Sequence, residues 1–118
     1  MIVVVFEFSF NEGQAQRYFD LVAELRPELE KIDGFISVER FSSLTTPGKY
    51  VSVQLWRDEA AVLEWRRHAG HRIAQMLGMR EVFADYRLTI GETIRSYTLA
   101  DRRRAGTDET AAPTGEPL

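Results

Sequence analysis

The order of strand-like and helix-like patterns along this chain is the feature that most constrains its fold. Apolar residues alternate over residues 2–10, as in a strand, and a helical pattern with an apolar stripe follows. Two more alternating segments are separated by a turn that contains Pro47 and Gly48. Another helical pattern, for which Asp58 is a suitable N-cap, precedes a final alternating segment. The predicted elements are strand 2–10, helix 14–31, strand 35–44, strand 50–56, helix 58–78 and strand 85–99.

This β-α-β-β-α-β order predicts an α+β domain of the ferredoxin-like type, a four-stranded antiparallel sheet with both helices on one face. The alternation places Tyr50, Trp56 and Tyr86 on the opposite face of the sheet. So many aromatic side chains are not expected to remain in water. Because a second copy of the sheet is the simplest cover, the sequence predicts a homodimer.

Composition limits the classes of partner. The 118 residues suit one domain, which we assign to residues 1–100, and residues 101–118 have no apolar periodicity and are predicted to form a disordered or extended tail. The net charge of −3 argues against a nucleic-acid partner.

The chain has no cysteine, so disulfides and thiolate metal sites are excluded. The first strand is too short to span a membrane and lacks a basic leader, so we expect a cytoplasmic protein without a membrane partner.

The predicted second helix carries both histidines of the chain. Glu64, His68, His71 and Gln75 are spaced so that they share one face of the helix. Glu64 and the two histidines could bind a metal together, but the chain has no other histidine to complete a site, so no metal is predicted. A histidine is also suited to act as an acid or base near neutral pH. The alternative is that both histidines lie at the surface or at the rim of a pocket.

The most specific pattern in the chain is LWRDEAAVLEWRRHAGHRIAQ followed by FADYRLTI, over residues 55–90. It resembles the antibiotic biosynthesis monooxygenase (ABM) family of dimeric α/β barrels, and the likeness in element order extends over about residues 1–97. The resemblance implies a ferredoxin-like homodimer with a pocket between sheet and helices in each subunit. It also implies O2-dependent oxidation of polyketide-type aromatics without metal or flavin. Relatives include haem-degrading monooxygenases and quinol-handling proteins.

The resemblance carries over to some positions and not to others. Trp65 matches a helix tryptophan that lines the pocket in the family, and His71 falls about where the polyketide oxidases carry a proton-transferring tyrosine. The haem-degrading pattern needs a histidine where this chain has Gln75. It also needs an asparagine in the first strand, where this chain has Phe6 and Glu7. Haem degradation is therefore not expected.

Oxygenation without a cofactor requires a substrate anion that can give an electron to O2. The protein must take a proton from the substrate and stabilise the anion that results. His71 or His68 is suited to the first task, and Arg72 or Arg87 to the second. The alternative for the two arginines is that they are solvated or paired with neighbouring carboxylates.

Two functions remain open at this level. The first is a small cofactor-independent monooxygenase that oxidises an aromatic, polyketide or quinol-like metabolite, with Trp56, Trp65 and Tyr86 stacking on the ligand. In this interpretation neither a metal nor a flavin is expected, since the chain has too few ligands for a metal and no glycine-rich phosphate loop for a flavin. The second is a non-catalytic small-molecule-binding or stress-response dimer on the same fold. The alternative to stacking on a ligand is that the three aromatic residues form core or dimer interface, and core packing is the favoured interpretation for Trp65.

Overall fold

The computed structural model describes residues 1–76 and 79–104, apart from the side chains of residues 71, 73–76, 79 and 104. Four strands and four helices are formed in this part of the chain. They are β1 (Ile2–Phe10), α1 (Ala15–Glu30), β2 (Phe35–Ser42), β3 (Lys49–Trp56), α2 (Glu59–Met76), α3 (Met79–Val82), β4 (Phe83–Glu92) and α4 (Leu99–Arg104).

The strands form a single antiparallel sheet in the order β2-β3-β1-β4. β1 therefore lies at the centre, between β3 and β4. Buried residues of α1 and α2 form one apolar core with Val4, Phe8, Val38 and Trp56 of the sheet, so both long helices cover the same face. The predicted α+β class and the four-stranded antiparallel sheet are confirmed.

The start of α2 is held by side-chain contacts with the turn that precedes β2. Asp58 caps the helix, since its Oδ1 accepts a hydrogen bond of 3.0 Å from the backbone N–H of Ala61. This bond is the main reason that the pKa of Asp58 is lowered. The neighbouring Arg57 donates to Asp33 at 3.0 Å, and its backbone N–H donates to the carbonyl of Gly34 at 2.7 Å. These contacts set the position of α2 over the sheet.

The prediction that Tyr50, Trp56 and Tyr86 lie on the outer face of the sheet is wrong. In the observed register Ile2 lies opposite Trp56, and Phe8 lies opposite both Tyr50 and Tyr86. Residues directly opposite one another in an antiparallel sheet point to the same face. The three aromatic residues therefore share the face that the helices cover, and Trp56 is completely buried there.

The outer face of the sheet is aliphatic at its centre instead. Its side chains come from β1 and β3, and they are only partly buried within one chain. They are Val3, Val5, Val51, Val53 and Leu55. An apolar sheet face without a helix over it is therefore present, although it is made of different residues from those predicted.

The segment after β4 differs from the prediction. The strand ends at Glu92 rather than near residue 99, and α4 occupies residues 99–104 where a disordered or extended tail was predicted from residue 101. The backbone N–H of Asp101 donates to Thr98 Oγ1, and that of Thr98 donates to Asp101 Oδ2, both at 3.0 Å. Such a reciprocal capping box initiates a helix. The remainder of the predicted tail, residues 105–118, lies outside the described residues.

None of the helices in the described ranges is both long enough and apolar enough to cross a membrane.

Candidate functional site

A cavity of about 250 Å³ lies between the sheet and the two long helices. All four strands contribute to its wall, as do α1 and α2. The apolar part of the wall includes Val4, Phe6, Leu25, Leu29, Trp65 and Leu88. A concave space lined by such side chains, with few polar groups, is the usual form of a small-molecule site.

The charged groups of the cavity wall are all positive within the described part of the chain. Arg26, Arg40 and Arg66 line the cavity, and no aspartate or glutamate among the described residues does. Arg26 is compensated by Glu30, whose Oε1 lies 2.7 Å from the Arg26 Nε. The cavity therefore has a net positive charge, which favours an anionic ligand or an anionic form of a ligand.

Arg40 is the arginine that comes from the sheet. It lies on the helix-covered face of β2, directly opposite Ser52 of β3. Its Nε is buried, as is the hydroxyl of Ser52, and neither atom has a hydrogen-bond partner among the described residues. A buried polar atom without a partner is costly, and a bound ligand or water is a common explanation for one.

Tyr18 of α1 lies beside Arg40 and also lines the cavity. Burial raises the pKa of the Tyr18 phenol, because the charged phenolate is poorly solvated there, and the Arg40 guanidinium opposes part of this rise. The phenol is therefore protonated at neutral pH and can donate a hydrogen bond. Gln54 adds a side-chain amide from β3, and its Oε1 accepts a hydrogen bond of 3.0 Å from the Trp56 indole.

The structure brings two of the four predicted ligand-binding residues to the cavity. Trp65 lines it and is 8% exposed, while Tyr86 lines it and is 54% exposed. Trp56 is not part of the wall and lies in the core next to Gln54. Arg87 is opposite Glu7 on the outer face of the sheet, and its Nε lies 3.8 Å from the Glu7 carboxylate.

Two of the predicted catalytic residues, His68 and Arg72, lie on the side of α2 that approaches α1. His68 Nε2 lies 3.5 Å from Glu28 Oε1, and an Arg72 guanidinium nitrogen lies 3.7 Å from the same oxygen. Neither His68 nor Arg72 belongs to the described cavity wall. The side chain of His71 lies outside the described residues. The catalytic roles of these three residues therefore stay predictions.

No group of three or more metal-ligating side chains occurs among the residues whose side chains the structure describes. The Glu64, His68 and His71 combination considered from the sequence is only partly within this range, because the His71 side chain is outside it.

Sequence reasoning missed Tyr18, Arg40 and Gln54 as site residues. A signal was present for two of them. Arg40 follows buried Val38 by two positions, and Gln54 precedes buried Trp56 by two, so each polar residue shares a strand face with a buried apolar side chain. Such a residue needs a polar partner, and a binding site can supply one.

The family model and the curated relative that match this chain carry the same family designation. Residues 1–76 match the model of the family described as antibiotic biosynthesis monooxygenase. Jasmonate monooxygenase ABM of Pyricularia oryzae is 38% identical over 107 residues, which are 91% of this chain and 50% of that protein. The chain thus spans about half the length of this curated relative.

Two solved structures illustrate the likeness of the fold. Rv0793 from Mycobacterium tuberculosis has a TM-score of 0.69 at 16% identity, covering 82% of this chain and 98% of that one. A mutant of SnoaB, a cofactor-independent oxygenase from Streptomyces nogalater, has a TM-score of 0.64 at 14% identity, covering 80% and 94%. At these identities the two structures support the fold alone.

Proposed function

This chain belongs to the antibiotic biosynthesis monooxygenase family, and we propose that it is a monooxygenase that oxidises a small, largely apolar molecule with O2 in the cavity between sheet and helices. The observation that carries this proposal is the cavity itself, which combines an apolar wall that includes Trp65 with uncompensated positive charge. Such a wall favours an electron-rich anion of the substrate. We propose an aromatic, polyketide or quinol-like metabolite as the substrate.

The proposed reaction needs no metal or flavin. In a substrate of the anthrone type, a methylene carbon between two activating groups loses a proton, and the resulting carbanion or enolate gives electrons to O2. Conversion of the methylene to a carbonyl then consumes one O2 and releases one water, so electrons and atoms balance without an external reductant. The name of the Pyricularia oryzae relative supports monooxygenation of a small molecule, although this chain matches half of that protein.

The residues of the cavity suit two parts of this reaction. The positive charge of Arg40 stabilises an anionic group of the substrate near the sheet, and Trp65 supplies a flat surface for a ring. We propose His71 as the base that takes the proton, on the strength of its place on the α2 face, with His68 as the second candidate.

We also propose that the protein is a homodimer that joins through the outer face of the sheet. The five aliphatic residues at the centre of this face, Val53 among them, are left partly exposed in one chain. Burying apolar surface contributes about 25 cal/mol per Å², and a face of this kind is well suited to a second copy of itself.

A second candidate function is binding without catalysis. The observation in its favour is that no histidine side chain lies in the described cavity wall, since His68 is directed toward Glu28. In that case the cavity holds a small molecule, and no group on its described wall takes a proton at neutral pH.

Oxygen consumption decides between the two functions. We expect the purified protein to consume O2 with at least one member of a panel of hydroxyaromatics, anthrones and quinols, as followed with an oxygen electrode. Trp65→Ala should lower kcat/KM by about ten-fold or more, since it removes ring contact in the cavity, and Trp65→Phe should retain most of the rate. Binding of panel members without O2 consumption by the wild type would identify the protein as a binder.

A further inference from the structure

We infer that the cavity selects a small monocarboxylic acid, with Arg40 and Tyr18 holding the carboxylate and the apolar wall holding the rest of the molecule. This inference rests on the proposed function, because it names the substrate class of the same cavity. It goes beyond that function by naming the group of the substrate that Arg40 contacts. This group is a permanent carboxylate, not the atom that reacts with O2.

Arg40 provides the charge for this recognition. It is always protonated, it lines the cavity, and no carboxylate among the described lining residues compensates it. Its Nε is buried and has no hydrogen-bond partner in the described part of the chain. A guanidinium presents its donors in a planar fork that matches the two oxygens of a carboxylate, so such a ligand compensates the charge of Arg40.

Tyr18 provides a second donor beside the first. Because burial raises the pKa of its phenol, the hydroxyl keeps its proton over the physiological pH range. A protonated phenol and a guanidinium side by side can each donate a hydrogen bond to an anion. Because both groups are already protonated at neutral pH, neither can act as a base toward the ligand. The pair therefore prefers the ionised carboxylate over an ester or an amide of the same shape.

The charge inside the cavity indicates a ligand with one negative charge. Arg26 is already paired with Glu30, and Arg66 is an exposed residue of α2. Arg40 is thus the one uncompensated cation that the sheet contributes to the described wall. One such cation suits a monocarboxylate better than a phosphate ester or a dicarboxylate, which would bring a second charge into an apolar space.

The order of the strands indicates how the ligand lies. Arg40 is on edge strand β2 and Leu88 on edge strand β4 at the other side of the sheet, three strand spacings away. At about 4.8 Å per spacing this is about 14 Å. A carboxylate at the β2 side therefore leaves the apolar body over β1 and β4, remote from the charged end. The cavity volume of about 250 Å³ calls for a small body.

Calorimetric titration of matched acid and amide pairs tests the inference. The probes are octanoate with octanamide, and 4-phenylbutyrate with 4-phenylbutanamide, each added to the full chain at pH 7. We expect the wild type to bind at least one acid about ten-fold or more tightly than its amide. Arg40→Gln should remove this preference while leaving amide binding within about two-fold. Tyr18→Phe should reduce the preference several-fold.

Controls separate a local effect from a loss of folding. Arg67→Gln removes a positive charge from an exposed position of α2 outside the described cavity wall, and we expect less than a three-fold change in the acid-to-amide ratio. Arg40→Lys keeps the charge without the planar fork and should retain part of the preference. Circular dichroism melting of each variant confirms that it is folded.

Three results would overturn the inference. The first is equal affinity of acid and amide in both pairs for the wild type, and the second is an unchanged preference in folded Arg40→Gln. The third is the absence of binding of either acid at millimolar concentration. The proposed function is judged separately, since O2 uptake with neutral hydroxyaromatics does not depend on a carboxylate.

Discussion

The indole Nε1 of Trp56 donates a hydrogen bond of 3.0 Å to the side-chain Oε1 of Gln54. Because an indole nitrogen can only donate, this contact identifies the amide oxygen and leaves the amide N–H groups of Gln54 as the free end. Gln54 lines the cavity, whereas Trp56 is completely buried next to it. Trp56 is thus a positioning residue that makes Gln54 a further hydrogen-bond donor of the cavity wall.

Gln54→Glu should weaken the binding of an anionic ligand in the cavity. The glutamate still accepts from Trp56, but it replaces the amide donors with a negative charge on the strand next to Arg40. We expect octanoate affinity to fall by at least ten-fold and octanamide affinity to fall less, as measured by calorimetry. Gln54→Met is the matched control without the charge. Equal losses for octanoate in the two variants would contradict this account.

Substitution of the two tryptophans should affect folding stability and ligand binding to different extents. Trp56 is 0% exposed and loses both packing and its hydrogen bond in Trp56→Phe, so we expect the free energy of unfolding to fall by about 2–3 kcal/mol. Trp65 borders the cavity, and Trp65→Phe should lower the same quantity by about 1 kcal/mol or less while weakening ligand binding. Urea denaturation measures both. A larger loss of stability in Trp65→Phe than in Trp56→Phe would contradict the assignment of Trp56 to the core and Trp65 to the cavity.

Tyr18 should make the protein less stable in alkali. Its pKa is raised in the folded state, chiefly by burial, so the folded protein holds this proton more strongly than the unfolded chain does. The associated stability is fully present below the ordinary tyrosine pKa of about 10 and is lost as pH rises above it. We expect wild type to lose more unfolding free energy between pH 8 and pH 11 than Tyr18→Phe does. Tyr86→Phe, which removes an exposed phenol of the same cavity, is the control.

The histidines of α2 should differ in their effect on rate. If the protein is an oxygenase with His71 as base, His71→Ala should lower kcat by about 10²–10⁴ and remove a limb near pH 6.5 from the profile of kcat/KM. His68 contacts Glu28 on the partly exposed side of α1, so His68→Ala should change kcat by less than ten-fold. Retention of the full rate and the same pH limb in His71→Ala would place the base elsewhere.

The outer face of the sheet should be required for assembly. Val53 lies near the middle of this face, opposite Val5, and Val53→Glu would place a charge in the proposed interface. We expect wild type to be dimeric by light scattering at micromolar concentration and Val53→Glu to be unfolded or monomeric. Leu63→Glu, at an exposed position on α2, should remain dimeric. A monomeric wild type would exclude the proposed homodimer under these conditions.

The sequence by itself determined the order of the elements and the fold class, because alternation and helical periodicity are local properties of a segment. The family resemblance rested on one such local stretch, and the match over residues 1–76 confirms it. The start of α4 was also encoded locally, by the capping residues Thr98 and Asp101, and was overlooked in a charged segment without apolar periodicity.

Only the tertiary structure decided which face of each strand meets the helices. On β3 the face of Val51, Val53 and Leu55 is more apolar than the face that ends in Trp56, so alternation alone indicates the wrong buried side, and the pairing of Ile2 with Trp56 was needed to settle it. The cavity required the fold for a different reason. Tyr18, Arg40 and Gln54 belong to three elements that approach one another only after the sheet has formed and α1 has packed on it. Their convergence depends on strand register and helix packing, which no local pattern in the chain contains.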